Sequence, residues 1–232
     1  MKILAIRGKN LASLEKEFEV DFTVEPLKSA GLFAITGSTG SGKSTLLDAL
    51  CLALFDASPR TSRASENIPV HDVGDKTINQ RGSRNILRRG ATEGYAEVDF
   101  ISLGGETYRT RWAVRRARNK ADGSLQSSEI RLYNLSKKKE EQGLKTDLLI
   151  KISWLIGLSF DQFTRSVLLA QGDFANFLKA KQTEKAELLE KLTGTDIYSR
   201  ISIAIYEKTK AAEAAWALIN GRIQGTVLLS VE

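Results

Sequence analysis

The sequence predicts an α/β fold, with a mostly antiparallel, strand-rich N-terminal region and a helical C-terminal third. Three observations lead to this class. Alternating apolar and polar residues, the period of half-buried strands, recur up to about residue 135. A glycine-rich stretch near residue 40 is followed at once by a strongly apolar helical pattern. From about Lys145 onward the apolar spacing becomes that of helices.

The first elements predicted are two paired strands, a third strand and a helix. The paired strands are predicted at KILAI and EFEVDF, joined by a polar turn around residues 9–15. After a break at Pro26, the run from Leu32 to Ile35 in GLFAIT is apolar without alternation, as expected of a strand covered on both faces. The helix predicted at KSTLLDALCLALF is apolar nearly all round and therefore buried, which gives Cys51 a packing role.

The next elements predicted are a loop-rich region over residues 56–94 and three further strands. These strands are predicted at YAEVDFISL, TYRTRWAV and EIRLYNL, the first two joined by a hairpin turn at Gly104-Gly105. Alternation places Trp112 on the core face and Asp99 on a solvated face. The KKKEE run at residues 137–141 is expected to form an exposed loop.

Cysteine usage and hydropathy limit the compartment. The single cysteine and single histidine can form neither an intramolecular disulfide nor, by themselves, a zinc site, so we expect a reducing compartment. The N-terminal apolar stretch is too short for a signal peptide, and no run approaches the roughly 18 apolar residues of a membrane span. We therefore expect a cytoplasmic protein without membrane contact.

The stretch GSTGSGKS matches the phosphate-loop pattern G-x-x-x-x-G-K-S without a mismatch. Its glycines let backbone N–H groups surround a phosphate, and the following helix directs its N-terminus at the same anion. Lys43 would reach the β- and γ-phosphates, and Ser44 Oγ would bind Mg²⁺. A chance match is the alternative, but the predicted strand before the loop and the helix after it favour a nucleotide site. The predicted nucleotide-binding residues are Gly37, Ser38, Thr39, Gly40, Ser41, Gly42, Lys43, Ser44 and Thr45.

The predicted nucleotide site is incomplete in this sequence. A P-loop NTPase needs a Walker B carboxylate at the end of a second apolar strand, and no predicted strand contains a run of four apolar residues that ends in Asp or Glu. No LSGGQ-type signature is present, since SLGGE at residues 102–106 has the residues in another order. These absences disfavour a self-sufficient P-loop kinase or GTPase.

Four stretches resemble the N-terminal part of the SbcC family, the SMC-like, ABC-type ATPase subunits of SbcCD nucleases. They are IRGKNLASLEKEFEVDF, GLFAITGSTGSGKSTLLDALCLALFDASPR, FTRSVLLAQGDFANFLKA and TEKAELLEKLTGTDIYSRI. The resemblance implies a P-loop NTPase of ABC/SMC type. Residues 1–178 would be the N-terminal half-lobe of the ATPase head, and residues 179–232 a helical region and the root of a coiled coil. Apolar residues at helical spacing suit either a coil or an ordinary packed helix, namely Ala212, Trp216, Ile219 and Ile223.

The family resemblance also implies roles for individual residues. Gln171 would be the Q-loop glutamine, which completes the Mg²⁺ shell with Ser44 and acts with Lys43 in catalysis. A capping or solvent-exposed glutamine at a helix break is the alternative. Arg88 and Arg89, just before GATEGYAEV, would be further phosphate contacts. This sequence has Ala12 where many relatives carry an arginine, so nucleotide contacts from that turn are not expected.

The partners and cofactors implied by the resemblance are those of a composite ATPase. ATP and Mg²⁺ would bind this chain, while a C-terminal ATPase segment of the same protein and a second SbcC head complete the site. Hydrolysis would control an SbcD-type nuclease acting on double-stranded DNA in double-strand break and hairpin repair, at the nucleoid. An SMC-type DNA clamp without a nuclease partner has the same head and stays as the alternative.

A basic cluster lies within residues 81–120, which contain ten Lys and Arg and four acids and so carry an excess equal to the net charge of +6. Strand alternation places three arginines on one face, and three basic residues follow at the adjoining turn. Such a surface suits the phosphates of a DNA duplex, with strong salt dependence and no base readout. A merely solvated face is the alternative. The predicted DNA-contacting residues are Arg109, Arg111, Arg115, Arg116, Arg118 and Lys120.

Overall fold

The computed structural model describes residues 1–62, 69–74, 77–168 and 196–224. They belong to two compact units, residues 1–175 and residues 176–232. The strands are β1 (Lys2–Lys9), β2 (Phe18–Asp21), β3 (Pro69–His71), β4 (Thr77–Asn79), β5 (Glu93–Ile101), β6 (Thr107–Arg115), β7 (Glu129–Asn134) and β8 (Lys139–Glu141). The helices are α1 (Lys43–Phe55), α2 (Pro59–Ser62), α3 (Lys145–Ile156), α4 (Phe160–Ser166) and α5 (Asp196–Gln224), with 3-10 turns at Ser83–Ile86 and Ala117–Asn119.

The first unit contains a six-stranded sheet of order β2-β1-β5-β6-β7-β8, in which every neighbouring pair is antiparallel. Turns between consecutive strands account for most of this order, whereas the pairing of β1 with β5 joins strands that are distant in the sequence. At the Gly104-Gly105 turn, Gly105 adopts a φ of 82° that glycine tolerates without strain. The predicted antiparallel region and its α/β character are confirmed.

The core lies between the sheet and the helices α1 and α3. Side chains from alternate positions of β5 and β6, including Phe100 and Trp112, pack with α1, which is buried around most of its circumference. The predicted core position of Trp112 and the packing role of Cys51 are confirmed. Burial, together with the charge of Asp48, raises the pKa of the Cys51 thiol to about 12.

The sheet face opposite α1 carries a network of ion pairs. Arg109 Nε donates to Asp99 Oδ1 at 2.6 Å, and Arg7 Nη1 donates to Asp99 Oδ2 at 2.8 Å. Burial raises the pKa of Asp99, but these arginine hydrogen bonds more than offset that effect and hold it below its ordinary value. Asp99 is only 7% exposed, so the prediction of a solvated carboxylate is wrong. The long arginine side chains of the neighbouring strands cover it.

Two predicted elements differ from the structure. The run from Leu32 to Ile35 is not a strand, and Leu32 is 93% exposed and Ile35 49% exposed. An apolar run becomes a buried strand only where other strands and layers cover it, and no strand within the described ranges pairs with this one. Conversely, residues 139–141 of the KKKEE run form the edge strand β8, because their backbone pairs with β7 while the side chains stay largely exposed.

The described part of the second unit is the 29-residue helix α5. It continues without a break through Asn220-Gly221. Among its exposed apolar side chains are Trp216, Ile219 and Ile223. The helical character predicted for the C-terminal third is confirmed for this stretch, and its role as a coil root stays a prediction. None of the described helices combines the length and the apolar character needed to cross a membrane.

Candidate nucleotide-binding site

The phosphate loop of residues 37–42 leads directly into α1. Gly40 and Gly42 adopt φ values of 84° and 96°, in the left-handed region where a side chain would be strained. Ser41 N donates to Ser38 O at 3.2 Å, and Gly42 O accepts the first helical hydrogen bond from Thr45 N at 2.9 Å. The loop therefore curves sharply and ends where the helix begins, because glycine occupies the positions that need positive φ.

The side chain of Lys43 folds back over this curve. Its Nζ donates to the carbonyl oxygens of Gly37 at 2.6 Å and Ser38 at 2.8 Å. Between Gly37 and Ser44 only Ser41 donates its N–H to a hydrogen bond within the described structure, so seven N–H groups of the loop and the first helical turn are unpaired. Unpaired N–H groups, an ammonium and a helix N-terminus form a donor set that fits nucleotide phosphates.

The predicted Mg²⁺ ligands lie in two parts of the chain. Ser44 is exposed on the first turn of α1, where its hydroxyl is accessible as an oxygen ligand. Gln171 lies outside the described residues, as does the boundary between the predicted domains, so both stay predictions. Across the described ranges, no cluster of three or more His, Cys, Asp or Glu side chains could hold a metal ion by itself. A Mg²⁺ site here would depend on Ser44 and on the phosphates of the nucleotide.

The turn between β1 and β2 lies against the phosphate loop, a packing role that the sequence did not predict. A Cβ placed on Gly42 would overlap the side chain of Leu14, so the two residues are in close packing. Leu14 N and Leu11 N exchange hydrogen bonds with each other's carbonyl oxygens, which keeps the turn compact. Only the tertiary contact reveals this role, since a lone leucine in a polar turn carries no motif.

Arg88 and Arg89 have different surroundings. The guanidinium of Arg88 lies against the turn, 3.4 Å from Ser13 O and 3.3 Å from Glu15 Oε2. Arg89 is exposed and lines a cavity of about 610 Å³ on the side of the turn where Ala12 lies. Arg89 is thus the more available of the two for a ligand.

Asp48, one turn into α1, is a second residue that the sequence did not single out. It accepts a hydrogen bond from Ser58 Oγ at 2.6 Å, and its Oδ2 lies 2.8 Å from Arg60 Nη2. Burial raises the pKa of Asp48, and these two partners oppose that effect without cancelling it. The contact ties the helix that follows the phosphate loop to α2.

The predicted DNA-contacting residues fall into two groups. Arg109 and Arg111 alternate onto one sheet face as expected, but both pair with carboxylates of β5, Arg111 with Glu97 at 3.0 Å. Arg116 is 4% exposed and forms a two-pronged pair with Asp72 at 2.6 and 2.9 Å. Its guanidinium is therefore engaged inside the protein. The other three predicted residues are exposed, Arg115, Arg118 and Lys120.

These features together define a P-loop nucleotide-binding domain with an antiparallel sheet. The model of the AAA domain family matches residues 5–224, and the chain belongs to that family, which implies nucleotide binding. It is an SbcC-like N-terminal ATPase region. It is 50% identical over 231 residues to the SbcC subunit of the nuclease SbcCD of Pseudomonas aeruginosa and 47% identical over 225 residues to that of Rhodobacter capsulatus.

The similarity covers nearly all of this chain and a small part of each relative. The Pseudomonas and Rhodobacter comparisons cover 99% and 96% of the chain but only 19% and 18% of the relatives. A "Probable DNA double-strand break repair Rad50 ATPase" of Aquifex aeolicus is 28% identical over 214 residues, which is 92% of the chain and 18% of that protein. The chain thus spans about one fifth of the length of these relatives.

Proposed function

We propose that this chain is the N-terminal half of an SbcC-like ATPase head that binds ATP with Mg²⁺. The observation that carries the proposal is that unpaired N–H groups and the Lys43 ammonium lie together in the phosphate loop at the N-terminus of α1. ATP phosphates would be held by these donors, and Mg²⁺ by Ser44 Oγ with Gln171 as a second oxygen ligand. The metal would neutralise charge that develops on the γ-phosphate during in-line attack by water. Lys43 would stabilise the same charge.

We infer that other segments complete the catalytic site. Asp99 comes nearest to the Walker B pattern, yet it alternates onto the sheet face opposite α1, where Arg7 and Arg109 hold it. The exposed run from Leu32 to Ile35, directly before the phosphate loop, supports the same inference. Apolar segments of this kind are stable when another strand covers them. A C-terminal ATPase segment of the same protein would provide that cover and the Walker B acids, and a second SbcC head would add the signature motif.

We further propose that ATP-driven closure of two heads controls the access of double-stranded DNA to an SbcD-type nuclease in double-strand break and hairpin repair. The names of the relatives support this proposal, as does the basic hairpin between β6 and β7. DNA phosphates would contact Arg115, Arg118 and Lys120, which are exposed. Arg109 and Arg111 contribute less, because nearby carboxylates already neutralise them. The assembly would act in the cytoplasm, at the nucleoid.

The test of the ATPase proposal is ATP turnover by this chain, alone and with a separately produced C-terminal segment of its parent protein. We expect negligible turnover by the chain alone and recovery when the segment is added. Lys43→Ala should abolish the recovered turnover, since it removes the ammonium from the loop. Gln171→Ala should lower it and weaken its Mg²⁺ dependence.

The opposite result would favour a different class of enzyme. Robust turnover by the 232 residues alone, abolished by Lys43→Ala, would mean that the chain contains its own catalytic carboxylate. A self-sufficient P-loop NTPase would then be the better account. Purification of the full-length protein distinguishes the two remaining hypotheses. A component of a nuclease complex would co-purify with a metallonuclease, whereas an SMC-type clamp would purify without one.

A further inference from the structure

The turn between β1 and β2, residues 10–15, has an unusually constrained backbone. Asn10 and Ala12 adopt φ values of 54° and 45°, which an alanine reaches only with strain. Leu11 is fully buried beneath the turn and pairs with Leu87 across an isolated bridge. Surrounding contacts must therefore hold the turn in this shape.

One set of contacts joins the turn to the segment before β5. Ala12 N donates to Ile86 O at 2.7 Å, and Arg88 N donates to Asn10 O at 2.9 Å. The Arg88 guanidinium adds longer contacts to the carbonyl of Ser13 and the carboxylate of Glu15. Both ends of the turn are thus anchored to a part of the chain that is separate from the phosphate loop.

The other side of the turn bears on the phosphate loop itself. The Leu14 side chain lies where a Cβ of residue 42 would be, against a buried glycine with a φ of 96°. The carbonyl of Gly42 accepts the first hydrogen bonds of α1, from Thr45 N at 2.9 Å and Leu46 N at 3.2 Å. The Lys43 N–H belongs to the same planar peptide unit as this carbonyl, so the orientation of that peptide determines where the Lys43 N–H points.

We propose that Leu14 is a positioning residue for nucleotide binding, and that Arg88 acts through the turn rather than by contacting phosphate. This inference rests on the proposed ATP-binding function. Leu14 packs against Gly42 and restricts the loop to the conformation in which its N–H groups converge. Arg88 keeps the turn, and with it Leu14, in place. A loop that spends less time in the competent conformation binds nucleotide more weakly by the same fraction.

The test is the dissociation constant for Mg²⁺-ATP, measured by titration calorimetry on the 232-residue chain. Leu14→Ala should weaken binding by about tenfold, which corresponds to about 1.4 kcal/mol. Leu14→Met should restore most of the affinity because it refills the space above Gly42. Leu103→Ala is the matched control, since Leu103 packs on the left-handed Gly157 in the same way but at the end of α3. It should leave the affinity unchanged.

A double-mutant comparison distinguishes the two roles of Arg88. If Arg88 acts through the turn, Arg88→Gln should weaken binding in the unaltered chain and have little effect in the Leu14→Ala background. An equal loss in both backgrounds would overturn the assignment and return Arg88 to the phosphate contacts. Unchanged affinity in Leu14→Ala, with normal binding by the unaltered chain, would overturn the positioning role. Failure of the unaltered chain to bind Mg²⁺-ATP would instead reject the ATP-binding function, and the inference with it.

Discussion

Asp56, the residue that ends α1, joins four parts of the first unit. Its Oδ1 accepts hydrogen bonds from Trp112 Nε1 at 2.6 Å, Ser83 Oγ at 2.8 Å and Ser128 Oγ at 3.0 Å, and its Oδ2 pairs with Lys145. Asp56 itself has a φ of 51°. Replacing it should therefore destabilise the sheet unit through several independent losses.

The magnitude follows from the groups that Asp56→Ala would leave behind. The buried indole N–H of Trp112 would lose its acceptor, at a cost of about 2 kcal/mol. The Ser128 hydroxyl would lose its acceptor too, but at a cost of only about 1 kcal/mol, because it keeps the hydrogen bond that Lys145 donates to it. An alanine in the left-handed region adds about 1 kcal/mol. The expected loss is about 4 kcal/mol in the free energy of unfolding. Asp56→Asn keeps an acceptor and tolerates the same φ, so it should lose only about 1 kcal/mol.

Urea unfolding followed by tryptophan fluorescence measures this loss, provided that the signal comes from the first structural unit, which contains Asp56. Replacing the exposed Trp154 and Trp216 by phenylalanine leaves Trp112 as the only reporter. Asp122→Ala, which removes an exposed carboxylate from a loop, is the control and should change stability by less than about 0.5 kcal/mol. A loss below about 1 kcal/mol for Asp56→Ala would refute the reasoning, because the indole N–H would then have found another partner.

Three further outcomes are expected. Hydrogen bonds from Lys137, Tyr108 and Asn134 lower the pKa of Glu106 from 4.5 to about 2, so its stabilising contribution is present above pH 4.5 and is lost as the pH falls toward 2. The urea midpoint of the wild type should therefore fall more steeply over that range than that of Glu106→Gln, and equal slopes would contradict this. Cys51 should react with a thiol reagent only in denaturant, because the native thiol is buried with its pKa raised to about 12, and rapid native labelling would disagree. Arg118→Ala and Lys120→Ala should each lower the slope of log affinity for DNA against log salt by about one unit, whereas Lys28→Ala, outside the hairpin, should not.

The sequence alone determined the local features of this protein. Gly37–Thr45 could be recognised as a phosphate loop because positive φ and backbone donors require those residue types in that order. The bounds of α1 and the hairpin at Gly104-Gly105 follow from apolar spacing and turn chemistry. These features depend on interactions among residues that are close in the chain, and such interactions can be read from the chain directly.

Tertiary structure decided which side chains meet. The sequence predicted a solvated face for Asp99 and a DNA contact for Arg109, and only strand pairing placed them side by side as an ion pair. The contact between Leu14 and Gly42 joins residues 28 positions apart, and neither position predicts the other. The run from Leu32 to Ile35 has the pattern of a buried strand, but burial depends on what lies beside it. An amino-acid pattern states which surface a segment can bury, and the packing of distant segments decides whether that surface is covered.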